Sequence, residues 1–314
     1  MRLVFCGTPQ FAVPSLRALC DAGHRVELVL SQPDRASGRG LEVHASPVKQ
    51  FAGEQHLPLL QPEKIRNNVE LEQRVREISP DAIIVVAYGR LIPPWMLALP
   101  RYGNLNLHGS LLPKYRGAAP IQWAIANGET ETGLTTMRLD EGLDTGDILL
   151  QERVPIVPDQ TSVELAPILA GVGANLLVKT LADLEGGSLR AMPQDNSRAT
   201  LAPILKREDG RVDWRRSAAQ IQNRWRGFQP WPGAFTLFRG KKLTLHALRV
   251  ADAAVRRLKN AAPGTLMQDG RDLFAACGEG SWLQVLEVQL EGKRRLPADA
   301  FLRGVVLAPG ERLG

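Results

Sequence analysis

The sequence predicts an α/β protein in which an open parallel sheet, with helices on both sides, precedes a small β-rich domain. Residues 1–150 alternate apolar strand-like runs with helical patterns, whereas the chain after residue 209 carries short strand-like runs separated by turn residues. The length of 314 residues also favours two domains, because single hydrophobic cores rarely grow beyond about 250–300 residues.

The chain opens with a predicted β-α-β unit. The strand-like runs RLVFCG and RVELVLS flank FAVPSLRALCDAG, in which Phe11, Leu16 and Leu19 repeat on one helical face. Further along, DAIIVVAYG is a continuous apolar run of strand length, as expected for a parallel strand buried on both faces. GNLNLHGS, the helical PIQWAIANG and the strand-like TGLTTMRL follow. In such sheets ligands bind beyond the carboxyl ends of the strands.

The later elements divide the chain. Residues 161–187 predict a long helix that closes the first domain, which we place at 1–189. The polar segment 190–208 contains prolines and shows no sustained period, so we predict a linker there. Residues 209–314 predict a helix, several short strands and a terminal helix near ADAFLRG, a pattern typical of a small β-rich domain or barrel.

Charge is distributed unevenly along the chain, whose overall net charge is +6. Residues 1–189 hold 17 Lys and Arg against 21 Asp and Glu, a net of −4, and residues 190–314 hold 22 against 12, a net of +10. This asymmetry indicates that the second part binds a polyanion such as nucleic acid. The alternative, that the basic charge serves solubility alone, stays open.

Several familiar site classes are not indicated. The first strand is followed by GTPQFA rather than G-x-G-x-x-G, and neither G-x-x-x-x-G-K-[ST] nor G-x-S-x-G occurs. NAD, ATP-cradle and serine-hydrolase chemistry therefore lose their main support. The histidines show no metal-ligand spacing, so we expect no metal. The odd set of Cys6, Cys20 and Cys277 is predicted to belong to the core.

The sequence also gives an expectation for the compartment. No uninterrupted apolar run reaches the roughly 20 residues that cross a bilayer. The N-terminal MRLVFCGTPQF reaches Gly and Pro too early for a signal peptide. We therefore expect a cytoplasmic protein with no membrane partner, and we expect a monomer.

One polar cluster lies at the predicted strand ends. A period of two places Asn106 and His108 on one face of NLNLHGS, just before Gly109 ends the strand. The loop MRLDEGLDTGDIL adds Asp144 among glycines, which permit close backbone approach to a ligand. An amide and a protonated imidazole can both donate to an oxygen that becomes negative during acyl transfer. A carboxylate favours the imidazolium and can accept protons from an attacking amine.

Each of these residues alone also has a structural explanation. His108 can be a satisfied core histidine, Asn106 can bond to the backbone, and Asp144 can cap a turn. The combination at one strand end favours a catalytic site, and its chemistry requires no covalent enzyme intermediate.

Two motifs carry a resemblance to a known family. LNLHGSLLPKYRGAAPIQWAI and ETGLTTMRLDEGLDTGDIL resemble the signature motifs of the folate-dependent formyltransferases. FCGTPQFAVPSL, SQPDRASGRGLEVHASPVK, VVAYGRLIP and QPWPGAF extend the resemblance over nearly the whole chain, toward the members that act on initiator methionyl-tRNA. It implies a Rossmann-like domain followed by a small, OB-like β-barrel. It also implies transfer of the formyl group of 10-formyltetrahydrofolate, as co-substrate, to the amino group of methionyl-tRNA for translation initiation.

The resemblance further implies roles for individual residues. The positions that match catalytic residues are Asn106, His108 and Asp144. The segment that matches a folate contact comprises Ser110, Leu111, Leu112 and Pro113, and we expect the pterin against the backbone near Tyr88, Gly89 and Gly142. Residues 31–49 resemble an insertion loop that grips the tRNA acceptor end, with Arg35 and Arg39 at its centre. Further tRNA contacts are expected from Lys206, Arg207, Lys241 and Lys242.

Two alternatives remain at this point. A related enzyme would give the formyl group to a small-molecule amine or to water, and the basic second domain argues against it. A nucleic-acid-binding protein without catalysis would have no need to retain Asn106, His108 and Asp144 together.

Overall fold

The computed structural model describes residues 1–37, 42–252 and 261–314. Within them the strands are β1 (Arg2–Gly7), β2 (Arg25–Leu30), β3 (Arg35–Ser37), β4 (Glu42–His44), β5 (Leu59–Leu60), β6 (Ala82–Val86), β7 (Asn104–His108), β8 (Glu131–Arg138), β9 (Ile148–Pro155), β10 (Phe235–Phe238), β11 (Lys241–Val250), β12 (Leu266–Asp269), β13 (Asp272–Ala276), β14 (Trp282–Leu290) and β15 (Leu296–Pro297). The α-helices are α1 (Val13–Asp21), α2 (Pro47–Glu54), α3 (Val69–Ile78), α4 (Pro94–Leu97), α5 (Pro120–Ala126), α6 (Ser162–Glu185), α7 (Ala218–Gly227) and α8 (Ala298–Arg303).

The first sheet is mostly parallel. Its strand order is β5-β2-β1-β6-β7-β8-β9, and the strands from β5 to β7 in this order run in one direction. Every residue of β6 and β7 is buried, as the continuous apolar run of β6 predicts for a strand with both faces covered. The predicted α/β class is therefore confirmed, in the Rossmann-like form that the resemblance implies.

The last two strands of this sheet run the other way. β8 pairs antiparallel with β7, with His108 opposite Thr135, and β9 pairs antiparallel with β8. A parallel neighbour requires a crossover connection that packs on the sheet. The helix between β7 and β8, α5, does not belong to the compact unit that contains the sheet. The sheet is thus mixed at this edge, whereas the alternation of patterns alone predicted parallel strands throughout.

Several helix ends follow from local chemistry. Ser46 accepts a hydrogen bond from the Lys49 N–H at 3.2 Å and so caps α2. Helix α7 begins with a capping box made by Ser217 and Gln220. After α1 the chain turns at Gly23, whose φ of 79° is a left-handed conformation that glycine adopts readily.

Helix α6 is long and unusually apolar. Among the helices of the described ranges, it is the one that length and composition would allow to cross a membrane, with a mean hydropathy of 1.6 over its most apolar window. The expectation that no segment reaches this length fails by that criterion, because small residues and leucines alternate here without an uninterrupted apolar run. Half of the window is buried inside the protein, and Leu165, Leu169, Leu177 and Leu181 are fully buried. Such burial is typical of a core helix.

The second sheet is antiparallel. Its order is β10-β11-β14-β13-β12, with β15 paired to β14. The turn between β10 and β11 is made by Arg239 and Gly240, whose φ values of 50° and 74° suit a tight hairpin. The core beneath the sheet includes Trp214, Ile221, Phe238, Leu245, Val285 and Phe301. The β-rich second domain predicted from the sequence is confirmed.

The compact units of the chain differ from the predicted boundaries. The first contains Met1–Pro120, Glu131–Pro155 and Glu164–Pro203, and the second contains Ile121–Thr130, Ile156–Val163 and Ile204–Gly314. The predicted linker, 190–208, is therefore divided after Pro203, and two short segments of the predicted first domain belong to the second unit.

Close contacts to α7 explain this difference. A Cβ on Gly227 would lie 2.5 Å from the Gln122 carbonyl oxygen, so the glycine permits the backbones to touch. Arg226 donates to the Gln160 carbonyl at 2.9 Å. Because these contacts join segments far apart in the sequence, local patterns do not reveal them.

Candidate active site

Strand β7 carries polar side chains at alternate positions. The Asn104 amide donates to the carbonyls of Met96 and Leu97 at 2.9 and 3.1 Å, which is a structural use of that side chain. Asn106 is 9% exposed, and its side-chain amide makes no hydrogen bond to the part of the chain that the structure describes. Buried polar groups normally have a partner. Asn106 is therefore the residue of this strand that is available to a ligand.

His108, at the end of β7, is held through one ring nitrogen and has a carboxylate near the other. Its Nε2 lies 2.9 Å from the Tyr115 carbonyl oxygen. Because a carbonyl only accepts, this contact assigns a proton to Nε2. The Nδ1 atom lies 3.6 Å from Asp144 Oδ2. A second proton on the ring would therefore face a carboxylate.

The carboxylate of Asp144 is fixed from the other side by a backbone group. Its Oδ2 accepts from the Gly117 N–H at 2.8 Å. Gly117 has a φ of 120°, and a Cβ there would lie 2.6 Å from the Ala202 carbonyl oxygen, so only glycine allows this approach. Asp144 itself has a φ of 53°, in the left-handed region that Asp tolerates better than most residues.

The loop around Asp144 is held by hydrogen bonds between its own residues. The Asp140 carboxylate accepts from the Thr145 hydroxyl at 2.8 Å and from the Gly142 N–H at 3.0 Å. A Cβ on Gly146 would lie 2.0 Å from the Arg138 carbonyl oxygen. Gly142 remains exposed. The glycine-rich sequence of this loop thus serves close internal contacts at both glycines, since a Cβ on Gly142 would lie 2.0 Å from the Thr145 hydroxyl oxygen.

The segment expected to contact folate is partly occupied by internal bonds. Ser110 is fully buried and its hydroxyl donates to the Lys114 carbonyl at 2.6 Å. Leu112 packs with a small apolar cluster, and its N–H donates to the Thr135 hydroxyl at 3.1 Å. Leu111 and Pro113 are half-buried. These two residues are the ones whose side chains can face a ligand.

Tyr88 and Gly89 follow the carboxyl end of β6. The Tyr88 ring is 1% exposed within an apolar cluster, and burial raises the pKa of its hydroxyl above the ordinary value. Its carbonyl accepts from the Gln32 side chain at 2.7 Å. Ala87 and Gly89 are exposed, with φ values of 47° and 73°. The accessible feature here is backbone rather than the tyrosine hydroxyl.

The expected tRNA contacts lie in separate places along the chain. Lys206 and Arg207 are exposed at the start of a 3₁₀ turn, and Lys241 is exposed at the start of β11. The ammonium of its neighbour Lys242 lies 4.6 Å from the centre of the Phe235 ring. The backbone of Arg35 belongs to β3 and pairs with His44, whereas Arg39 lies outside the described residues.

The structure also identifies residues that sequence patterns missed. Gln194 donates from Nε2 to the carbonyls of Asp144 and Gly146, at 2.8 and 2.7 Å. Arg116 donates from Nε and Nη2 to the Gln194 side-chain oxygen, at 3.1 and 2.7 Å. Gln194 occurs in the segment predicted as a linker, where nothing in the sequence indicates a role. Arg116 could have been noticed as a cation in the motif that follows His108.

The described residues offer neither a reactive thiol in this site nor a group of side chains that could bind a metal. Cys6 and Cys277 are buried, as predicted, whereas Cys20 is only half-buried. Burial raises the pKa of Cys277 to about 12. Thiols in such surroundings are inert. Across residues 1–37, 42–252 and 261–314, no group of three or more His, Cys, Asp and Glu could hold a metal ion.

Comparison with known proteins identifies two matching family profiles. The profile described as formyl transferase matches residues 1–181, and that of the formyl transferase C-terminal domain matches residues 204–306. A methionyl-tRNA formyltransferase of Acidobacterium capsulatum is 63% identical over 314 residues, covering all of both chains. One from Koribacter versatilis is 56% identical, covering all of this chain and 99% of its own.

Solved structures share the fold at lower identity. An N-formyltransferase of Helicobacter canadensis, in complex with folinic acid and dTDP-3-aminofucose, is 17% identical with a TM-score of 0.66, covering 90% of this chain and 98% of its own. A phosphoribosylglycinamide formyltransferase of Bacillus halodurans is 25% identical with a TM-score of 0.51, covering 59% and 95%.

Proposed function

The chain belongs to the formyl transferase family, and we propose that it transfers the formyl group of 10-formyltetrahydrofolate to the free amino group of initiator methionyl-tRNA. The observation that carries the chemistry is the 3.6 Å separation of His108 Nδ1 and Asp144 Oδ2, at the end of the strand that holds Asn106, whose amide has no hydrogen-bond partner among the described residues. The choice of acceptor rests on full-length relatives named methionyl-tRNA formyltransferase, at 63% and 56% identity.

The residues present fit a folate-derived donor. Exposed backbone at Ala87 and Gly89 follows β6, and a Cβ on Gly89 would come within 2.7 Å of the Gln32 side chain. Gly142 is also exposed, and its N–H donates to Asp140 at 3.0 Å, so its carbonyl is the backbone group that we propose for the ligand. Backbone N–H and C=O groups of this kind suit a planar, many-atom hydrogen-bonding heterocycle such as a pterin. We propose that Tyr88, Gly89, Gly142 and Ser110, Leu111, Leu112 and Pro113 form this site.

The bound donor supplies the formyl carbon, and the residues of the chain supply polarisation and proton transfer. Asn106 donates a hydrogen bond from its amide to the formyl oxygen, which gains negative charge as the amine attacks. A fixed donor is effective because it is already oriented when the charge appears. That no residue of the described ranges bonds to the Asn106 amide supports this role.

His108 and Asp144 act as a pair. The Nε2 proton of His108 is held by the Tyr115 carbonyl, and a proton on Nδ1 points toward Asp144. For His108 to donate directly to the formyl oxygen, the ring must give up one of these contacts, so we propose that the imidazolium stabilises the developing charge from a short distance. Asp144 neutralises the imidazolium and accepts, directly or through water, the proton that the attacking amine loses. The bond between the formyl carbon and the folate nitrogen then breaks, and the proton passes to that nitrogen as tetrahydrofolate leaves.

For the tRNA we propose phosphate and base contacts by Arg35, Arg39, Lys206, Arg207, Lys241 and Lys242. The net charge of +10 on residues 190–314 supports this, because basic surfaces bind nucleic-acid backbones by neutralising phosphates. We also propose that the protein works in the cytoplasm, as a monomer and without a metal.

The test offers the protein three acceptors together with 10-formyltetrahydrofolate: initiator methionyl-tRNA, free methionine and water alone. Mass spectrometry should detect formylmethionine in the first reaction, after release of the amino acid from the tRNA. It should detect none in the reaction with free methionine or with water alone. Equal release of tetrahydrofolate in all three, with no formylated tRNA, would replace the proposal by transfer to a small amine or to water.

A further inference from the structure

Residues 192–202 are fixed against the first compact unit at both ends. Met192 and Ile148 exchange two backbone hydrogen bonds of 2.8 Å. At the other end the backbone N–H of Arg116 donates to the Thr200 carbonyl at 2.9 Å, and the backbone carbonyl of Arg116 accepts from the Ala202 N–H at 2.7 Å. Side chains of this segment can therefore be held in place although most of it is exposed.

Gln194 uses this position to hold the loop that carries Asp144. Its amide nitrogen has two hydrogens, and two carbonyls, those of Asp144 and Gly146, lie 2.8 and 2.7 Å from it. Each hydrogen thus has one acceptor. The bonds span the left-handed backbone of Asp144, whose φ is 53°, a conformation that persists where the surroundings fix it.

Arg116 fixes the orientation of the Gln194 amide. Arg116 is 7% exposed as a residue, and its guanidinium donates twice to the side-chain oxygen of Gln194, at 3.1 and 2.7 Å. A flipped amide would place its NH₂ group against these donors, so only the observed orientation is satisfied. Arg116 also donates to the Asn196 side-chain oxygen at 2.8 Å.

We propose that Gln194, oriented by Arg116, is a positioning residue that holds the backbone of Asp144 so that its carboxylate faces His108 Nδ1. The proposal rests on the role of Asp144 and His108 proposed above. Gln194 donates to the backbone carbonyl of Asp144, while the Gly117 N–H donates to the Asp144 carboxylate. With both in place, the side chain has one direction in which to point.

Four full-length variants test this: Gln194→Ala, Gln194→Glu, Asp144→Asn and the double variant Gln194→Ala with Asp144→Asn. Gln194→Glu is isosteric, keeps the acceptor for Arg116 and turns oxygen toward the two carbonyls, so it removes the donors without removing volume. Ser197→Ala is the matched control, because its hydroxyl bonds, among the residues that the structure describes, to Asp195 in the same segment.

Single-turnover formyl transfer should slow about tenfold or more in both Gln194 variants. The KM values for donor and tRNA should stay unchanged, since the proposal gives this residue no role in binding. Ser197→Ala should behave as the unmodified protein. In the Asp144→Asn background, Gln194→Ala should cause no further loss, because residues that act through one another are not additive. A general folding defect would instead lower the melting temperature and multiply the two losses.

The outcomes separate the two proposals. A normal rate in Gln194→Ala and Gln194→Glu, with Asp144→Asn slow, overturns the positioning role and leaves the catalytic role standing. A normal rate in Asp144→Asn removes the catalytic role itself. Additive losses in the double variant also contradict the inference, because Gln194 would then act on something other than Asp144.

Discussion

The polar side chains of β7 differ in the partners that the protein provides. Asn104 is bonded to the carbonyls of Met96 and Leu97, whereas Asn106 has no bond to the described residues. The Asn106 amide is thus left without a partner among the described residues, as the proposed hydrogen bond to the formyl oxygen requires.

The Asn106→Ala variant should therefore lower kcat by about 10²–10³, the usual effect of losing one oxyanion donor. Donor binding, followed by fluorescence or calorimetry, should change little. Asn104→Ala is the comparison, since it should lower the melting temperature by leaving two carbonyls unpaired while kcat stays close to normal. Near-normal turnover in Asn106→Ala would contradict the proposed role.

The buried cysteines should be unreactive in the native protein. Burial raises the pKa of Cys277 to about 12 and also raises that of Cys6, so both remain protonated thiols at pH 8 and ionise only at far higher pH. Because the thiolate is the reactive form, iodoacetamide at pH 8 should modify neither residue before unfolding, as mass spectrometry would report. Rapid labelling of either in the folded protein would show that its surroundings are open.

The loop that follows β8 and the turn after Tyr115 form one unit of structure. The Asp144 carboxylate, the Gly117 N–H and the Gln194 amide join segments that are distant in the sequence. None of these contacts adds apolar burial. Their effect is to fix the direction of one side chain.

Gly117→Ala tests how tightly this unit is built. Its Cβ would lie 2.6 Å from the Ala202 carbonyl oxygen, at a φ of 120°, so the turn must shift and the N–H should leave Asp144. We expect kcat to fall by at least about tenfold and the free energy of unfolding to fall by about 1–3 kcal/mol. Gly171→Ala in α6 is the control, because a Cβ there meets nothing within 4 Å and alanine favours helix. Equal behaviour of the two variants would refute the assigned contact.

Charge separates the two ends of the chain, with a net of −4 in residues 1–189 and +10 in residues 190–314. A fold of the formyltransferase type does not by itself require this asymmetry, because site chemistry and fold vary independently. A large anionic substrate such as methionyl-tRNA accounts for it, because basic surfaces bind nucleic-acid backbones by neutralising phosphates.

Salt should therefore weaken the tRNA interaction selectively. Between 50 and 200 mM salt, the KM for methionyl-tRNA should rise at least about tenfold if two or more phosphates are neutralised, while the KM for the donor changes little. Lys241→Ala combined with Lys242→Ala should reduce the slope of log KM against log salt by about 2. Lys179→Ala, which removes a lysine paired with Asp183, should leave the slope unchanged. A flat salt response would instead favour a small acceptor.

Much of the fold was predictable because it follows local patterns. The continuous apolar run of β6 indicated a strand covered on both faces, and the period of two in β7 placed Asn106 and His108 on one side. The antiparallel direction of β8 was not predictable in this way, since it depends on where α5 packs. The apolar length of α6 was missed because its leucines are interrupted by small residues.

The sequence predicted which residue types act in the site, but it did not predict the residues that hold them in place. Asn, His and Asp in short motifs have a chemical meaning that can be inferred without coordinates. Gln194 has none, because its role arises from two carbonyls of a loop about 50 residues earlier and from a guanidinium that orients it. Such contacts depend on the tertiary fold and leave no periodicity or motif.

The most direct measurement is the single-turnover rate of formyl transfer to methionyl-tRNA by Asp144→Asn, with donor binding measured on the same preparation. Asparagine keeps the size of the side chain and removes the charge that faces His108. We predict a rate lower by about 10²–10⁴, the range for losing a proton-transfer group, with donor affinity unchanged. A rate equal to that of the unmodified protein would contradict the proposed mechanism.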